Sequence, residues 1–247
     1  AELDEGNIWE AVADETVRNT NLGNVLWIVD LNRQSLDRVI PGIKVRETEA
    51  RFVAEGWRVL EAKYGRRLQA AYAGPGGVAL RRRIDDMSNE EYQALLRLPG
   101  SEARERLISG AAAGVRDALT RSVAGTPDDE LVGLLGDLAG HDIAELLSCF
   151  DAAGEDSKRP AVVFAYTVKG WGLPIAGNPL NHSMLLSQDQ IDALRPKLGI
   201  DPHDDWAPFP TGSTEARICR DASARLYGPA GFPSGPLPVN DADIPEK

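Results

Sequence analysis

Two groups of polar residues sit where a sheet would present them. Asp30, Asn32 and Gln34 follow the apolar run 25–29, and Lys169 and His182 follow a second apolar run, 161–167. An Asn side chain and backbone carbonyls offer hard, neutral oxygens suited to magnesium or calcium. Lys169 stands beside Gly170 and Gly172; glycine lets backbone N–H groups come close to phosphate oxygens. A loop His can donate to a substrate carbonyl or move a proton near neutral pH. Each residue also has an ordinary reading: a strand-end Asn as a turn residue, a loop His as surface. Together they reach an anionic small-molecule site, and spacing alone goes no further. His141-Asp142 at a helix start reads either as a catalytic pair or, preferably, as a helix cap. No nucleophile elbow, GxxxxGK loop or HExxH helix is present.

The elements that must position these residues alternate in kind. A first helix is expected over 4–19, with acidic residues in its first turn. Strands are expected at 25–29, 57–64 and 161–167, with a helix at 48–55 ended by Gly56. Buried parallel strands read as continuous apolar runs, and ligands in open α/β sheets lie beyond their carboxyl ends. If the first and third strands are neighbours, both polar groups open into one crevice. Residues 66–154 carry helical patterns separated by Gly or Pro turns: 66–73, 77–84, 88–97, 101–108, 115–123, 127–138 and 142–153. This is expected to be scaffold and partner surface. Arg81-Arg82-Arg83 is expected on a solvated helix face. The loop 173–183, with two prolines and a glycine, reads as a positioned functional loop able to move. Helices are expected at 187–198 and 213–226, with Ser187 and Ser213 as caps.

The bulk numbers exclude some classes. The 247 residues include 43% hydrophobic and 26% charged residues, and the formal net charge is -11. That charge disfavours non-specific binding to nucleic acid or anionic lipid, but not a small anion that feels only the local field. No apolar run has membrane-spanning length and no signal peptide opens the chain; a cytoplasmic location is the expectation that fits the two cysteines. Cys149 and Cys219 have no metal-ligand spacing and read as reduced structural thiols. The abrupt start and the Pro-, Gly- and Asp-rich residues 228–247 read as part of a longer protein ending in a linker.

Ala1-Glu2-Leu3-Asp4-Glu5-Gly6, then Trp9-Glu10-Ala11, then the segment 30–37 resemble the diphosphate-binding domain of thiamine diphosphate enzymes of the transketolase superfamily. The likeness is closer to the homodimeric decarboxylating component of bacterial pyruvate dehydrogenase complexes. The segment 164–183 resembles that family's entry to its active-site loop, and Gly140-His141-Asp142 with Phe150 fits a structural motif of the family.

The resemblance implies an α/β fold: part of a parallel-sheet diphosphate domain over 1–200, with a mainly helical insertion at 66–154, a helical extension at 201–227 and a linker at 228–247. It implies thiamine diphosphate and magnesium as cofactors. Asn32 would give the metal a side-chain oxygen and Gln34 a main-chain carbonyl. Glu2 and Leu31 would line the cofactor pocket, and Lys169 would reach the diphosphate. His182 would match the loop histidine that orders the loop over substrate. Glu5 and Glu10 would match acidic residues that link two active sites through a proton relay. The family's Gly-Asp-Gly would need its Gly and Asp just before Ala1, so one metal ligand is absent from these 247 residues. The activating Glu of the pyrimidine-binding domain is absent too. The expected partners are a 2-oxo acid, preferably pyruvate, the N-terminal portion and pyrimidine domain of the same enzyme, a second copy in a homodimer, and a multienzyme complex. Nucleic acid and membrane are not expected. Two alternatives remain at this point: a transketolase-like enzyme acting on sugar phosphates, and a truncated, non-catalytic binding or assembly module.

Overall fold

The computed structural model describes residues 3, 6–19, 21–36, 38–40, 45–201, 203, 204 and 206–228. The chain divides into two compact units, Ala1–Ser187 and Gln188–Lys247. This division by contacts falls before position 200, where the resemblance puts the end of the domain.

The first unit is built on three parallel strands. Strand β1 is Leu26–Leu31; a small ribbon of β2 (Gln34–Ser35) and β3 (Arg38–Val39) follows it; then come β4 (Arg58–Ala62) and β5 (Ala161–Tyr166). The sheet order is β1-β5-β4, with β5 in the middle. Leu26 pairs with Ala161 and Leu31 with Tyr166, while Arg58 pairs with Ala161 and Ala62 with Ala165. All of β5 is buried, as its unbroken apolar sequence requires for a central parallel strand. The fold is thus α/β with a parallel sheet, as expected.

One sheet face carries Val29, Val162, Phe164 and Tyr166 against the helix α3 (Val45–Ala54). Phe52 of α3 is fully buried and lies with its ring centroid 5.8 Å from Phe164 and 5.5 Å from both Trp57 and Trp9. Gly56, at φ 83°, ends α3 and lets the Trp57 N–H turn back to the Phe52 carbonyl. The Trp57 indole then donates to the Val12 carbonyl at 3.0 Å, which ties the N-terminal helices to the sheet. The opposite face packs Val163 and Ala62 against Leu146, Cys149 and Phe150 of α10 (Ile143–Gly154).

The single helix expected over 4–19 is two, α1 (Gly6–Val12) and α2 (Glu15–Asn19). Asp14 is the reason. Its carboxylate accepts the Thr16 N–H at 2.7 Å, so a new helix starts there. Residues 4 and 5 lie outside the described residues.

Between β4 and β5 run α4 (Arg66–Ala73), α5 (Gly77–Asp86), α6 (Asn89–Leu95), α7 (Gly100–Ser109), α8 (Arg116–Ser122), α9 (Asp128–Leu135) and α10. Leu68, Leu80, Leu95, Leu107, Leu119, Leu131 and Leu135 are fully buried and form their common core. The Arg81-Arg82-Arg83 expectation needs correction at one residue. Arg82 faces solvent, but the Arg83 side chain is partly buried, pairs with Glu91 and donates to the Leu107 carbonyl. It therefore fastens α5 to α6 and α7. Cys149 on α10 is half-buried against the sheet, whereas Cys219 on α12 (Thr214–Tyr227) is exposed and packs no core.

The second unit contains α11 (Gln188–Leu198) and α12 (Thr214–Tyr227). Ser213 caps α12 by accepting the Ala216 N–H at 3.1 Å. The expected linker lies, beyond Gly228, outside the described residues. No helix among the described residues is long and apolar enough to cross a membrane.

Candidate functional site

Strands β1 and β5 are direct neighbours, and the polar residues leave the sheet at the same end. Backbone pairing continues one step past the strands, with the Thr167 N–H donating to the Leu31 carbonyl at 3.3 Å. The Thr167 hydroxyl donates to the Asp30 carboxylate. Both polar ends therefore leave the sheet side by side, at the edge where open α/β sheets hold their ligands.

The lip after β1 is wound tightly by its own side chains. Asn32 donates to Asp30 Oδ2 at 3.0 Å, and its Oδ1 accepts the Gln34 N–H at 3.0 Å. This is an Asx turn, in which the side-chain oxygen stands in for a backbone carbonyl. Arg33 and Leu36 hold positive φ, 63° and 53°. Such backbone is sparsely populated for residues other than glycine, so surrounding contacts must hold it. They do. The Arg33 guanidinium lies 4.0 Å over the Tyr92 ring, and Asn89 donates to the Ile40 carbonyl at 2.6 Å. Both holding residues are in α6.

Gln34 points its side chain inward. It is 8% exposed, and its amide donates to Gln93 Oε1 at 2.5 Å and to the Asn178 carbonyl at 3.3 Å. Its side chain is thus turned to α6 and the loop, and the metal role that the resemblance implies falls to its main-chain carbonyl. Gln93 had no sequence signal, because it lies fifty-nine positions away in a helical region. It nevertheless carries the lip.

After β5 the chain coils into consecutive turns. The Lys169 carbonyl accepts from the Gly177 N–H at 2.9 Å and from Asn181 Nδ2 at 2.7 Å, so the loop folds back upon Lys169. The Lys169 ammonium crosses to the lip and donates to the Leu36 carbonyl at 3.0 Å. Asn178 and Asn181, noticed in the sequence only as loop residues, are the loop's internal anchors. His182 is exposed beside Asn181. Leu31 is half-buried and packs against the main core. Glu2 and Glu5 lie outside the described residues. Glu10, on α1, is exposed.

His141-Asp142 is not a catalytic pair. Asp142 caps α10 through the Ala144 N–H and is paired with Arg66 at 2.9 Å, which holds its carboxyl down at about 2. His141 turns the other way and accepts the Val168 N–H on Nε2 at 2.8 Å. Among the described residues there is no group of three or more His, Cys, Asp and Glu placed to hold a metal. A cation at this lip would rest on Asn32 and backbone oxygens, a donor set that suits a hard ion.

The chain is similar to known proteins. The family description "Transketolase, thiamine diphosphate binding domain" matches residues 133–213. The likeness is to the transketolase superfamily of thiamine diphosphate enzymes. The pyruvate dehydrogenase E1 component of Cupriavidus necator is 27% identical over 218 residues, which cover 84% of this chain and 24% of that protein. The E1 component of Corynebacterium glutamicum is 29% identical over 185 residues, 73% of this chain and 19% of that one. The Escherichia coli E1 component is 24% identical over 238 residues, 92% and 26%. A Pichia stipitis transketolase solved with fructose 6-phosphate superimposes with a TM-score of 0.50 at 18% identity, over 90% of this chain and 22% of that one. The transketolase-type fold is therefore shared. The chain spans roughly a fifth to a quarter of the length of these E1 components.

Proposed function

We propose that this chain contributes magnesium and thiamine diphosphate binding to the decarboxylating component of a 2-oxo acid dehydrogenase, with pyruvate as the acid. The observation that carries this reading is that the segments holding Asn32 and Lys169 follow the adjacent strands β1 and β5 and are tied together by the Lys169 bond to the Leu36 carbonyl. The similarity to pyruvate dehydrogenase E1 components supports the choice of acid over a sugar phosphate.

When bound, the cofactor would supply the carbanion chemistry that amino acid side chains cannot. The chain's own residues would position it. Asn32 Oδ1 and the Gln34 main-chain oxygen would hold the metal. Lys169 would transfer its ammonium from the Leu36 carbonyl to a diphosphate oxygen, a stronger, charge-assisted contact. Leu31 and Glu2 would line the pocket. His182, on the loop anchored by Asn181, would face substrate, and Glu5 would belong to the acidic path between paired sites. The remaining metal ligand and the pyrimidine-binding half would come from other parts of the same enzyme, in a homodimer within a cytoplasmic multienzyme complex.

Isothermal titration of thiamine diphosphate with magnesium tests this, first on the chain alone and then with the remaining parts of the enzyme. Weak or absent binding alone and tight binding when assembled is the expected pair of results. Tight binding by the chain alone would contradict the divided site. No binding when assembled would contradict the cofactor assignment.

A further inference from the structure

His141 lies outside the residues given a role above, yet it touches the Lys169 segment in two ways. Its Nε2 accepts the Val168 N–H at 2.8 Å. Its ring stacks on the Trp171 indole, with centroids 4.5 Å apart and planes inclined by 12°. The two contacts grip the chain on either side of Lys169 and Gly170. The approach is close: a Cβ on Gly140 would stand 2.5 Å from both the Tyr166 carbonyl oxygen and Thr167 Cγ2. Gly140 thus lets the segment that carries His141 lie directly against the end of β5.

We infer that His141 is a positioning residue which, as the neutral imidazole with its proton on Nδ1, holds the 168–171 turn so that Lys169 faces the lip. This rests on the proposed role of Lys169. The tautomer follows from the hydrogen bond, because a ring nitrogen that accepts an N–H carries no proton of its own. Protonation would put a second donor against the Val168 N–H, and the two donors would repel. The turn is then built to open in acid.

The charged groups around the ring set where this happens. Burial disfavours the imidazolium and pushes the His141 pKa down, while the carboxylates of Asp30 on β1 and Asp137 after α9 pull it up, with burial the larger effect. Lys169 directs its ammonium to Leu36, and Asp142 is engaged by Arg66. His141 should therefore stay neutral through the neutral range and titrate below an ordinary histidine.

Three measurements test this, two without cofactor. In the full chain, ring-nitrogen NMR shifts at about pH 7 should show His141 with its proton on Nδ1, titrating below the usual value of about 6.5. A proton on Nε2, or a charged ring at that pH, would overturn the inference in the unaltered protein. Acidification should quench Trp171 emission as an imidazolium forms against the indole. The quench should vanish in both Trp171→Phe and His141→Gln, and a full quench in His141→Gln would overturn it. In the complete enzyme, thiamine diphosphate with magnesium should bind up to roughly tenfold more weakly relative to His141→Gln at a pH one unit below the His141 midpoint read by NMR than at about pH 7.5, the worth of about one hydrogen bond. Gln can still accept the Val168 N–H but does not titrate, and the comparison cancels the ligand's own protonation. Equal ratios at both pH values would overturn the positioning role. Failure of the unaltered enzyme to bind cofactor at either pH would overturn the proposed function and leave the NMR and fluorescence outcomes to decide the role of His141.

Discussion

The Lys169 ammonium donates to the Leu36 carbonyl across 3.0 Å, and this bond, beside that from Gln34 to the Asn178 carbonyl, joins the two strand-end segments. Leu36 holds φ at 53° to present that carbonyl. A cation parked on a neutral oxygen, beside a lip suited to a metal, is ready to exchange that partner for an anion.

Lys169→Met should therefore cost affinity more than stability. A hydrogen bond from a charged donor contributes about 1.5–3 kcal/mol, or roughly a ten- to hundredfold loss of thiamine diphosphate affinity in the complete enzyme. Its tie to Leu36 is exposed, so the chain's denaturation midpoint should move little. Titration calorimetry and urea melts separate the two effects.

Gln34→Ala should do the reverse to the chain by itself. It leaves the buried Gln93 amide without its partner, at a cost of about 1–3 kcal/mol. Urea denaturation reads this directly. A loss smaller than that of an ordinary surface substitution would show that α6 does not hold the lip.

The stability of the chain should fall as pH rises through neutrality. Burial, then the facing Glu61 carboxyl, raises the Glu49 pKa to about 7, against the lowering influence of Arg46. The Tyr166 hydroxyl lies 3.4 Å from Glu61 on the same face. A raised carboxyl pKa means that the folded state holds a proton the unfolded chain has released. The stabilisation is then whole below the unfolded value of about 4.5 and is lost as pH climbs through about 7. Thermal melts across that window should show the decline, and Glu49→Gln should flatten it and raise the melting point at high pH.

His182→Ala should lower turnover of the complete enzyme more than it lowers cofactor affinity, because the side chain is exposed on the loop and not at the lip. Steady-state rates set beside calorimetric affinities check this; an unchanged rate would remove His182 from the catalytic group.

Much of the sheet was legible because apolar runs report burial directly. The run 161–167 became β5, buried throughout, and the runs at 25–29 and 57–64 became its two neighbours. The lip was legible as chemistry, since Asn32 and Gln34 sit at a strand end. What held it was not. Gln93, Tyr92 and Asn89 read only as residues of an amphipathic helix, because partners forty-nine to fifty-nine positions away leave no local spacing. The break at Asp14 was hidden for the opposite reason. Helical periodicity runs across it, and a side-chain cap two residues on overrides that pattern. His141-Asp142 read preferably as a helix cap, and Asp142 is that cap, but nothing local showed that His141 turns to the loop, because its partner Val168 is twenty-seven positions away.

The most direct test of the account is Asn32→Ala in the complete enzyme, with thiamine diphosphate affinity measured by calorimetry with and without magnesium. The unaltered enzyme should bind much more tightly with magnesium, and Asn32→Ala should lose most of that difference while folding normally. A variant that keeps the full magnesium dependence would contradict the placing of the metal at this lip.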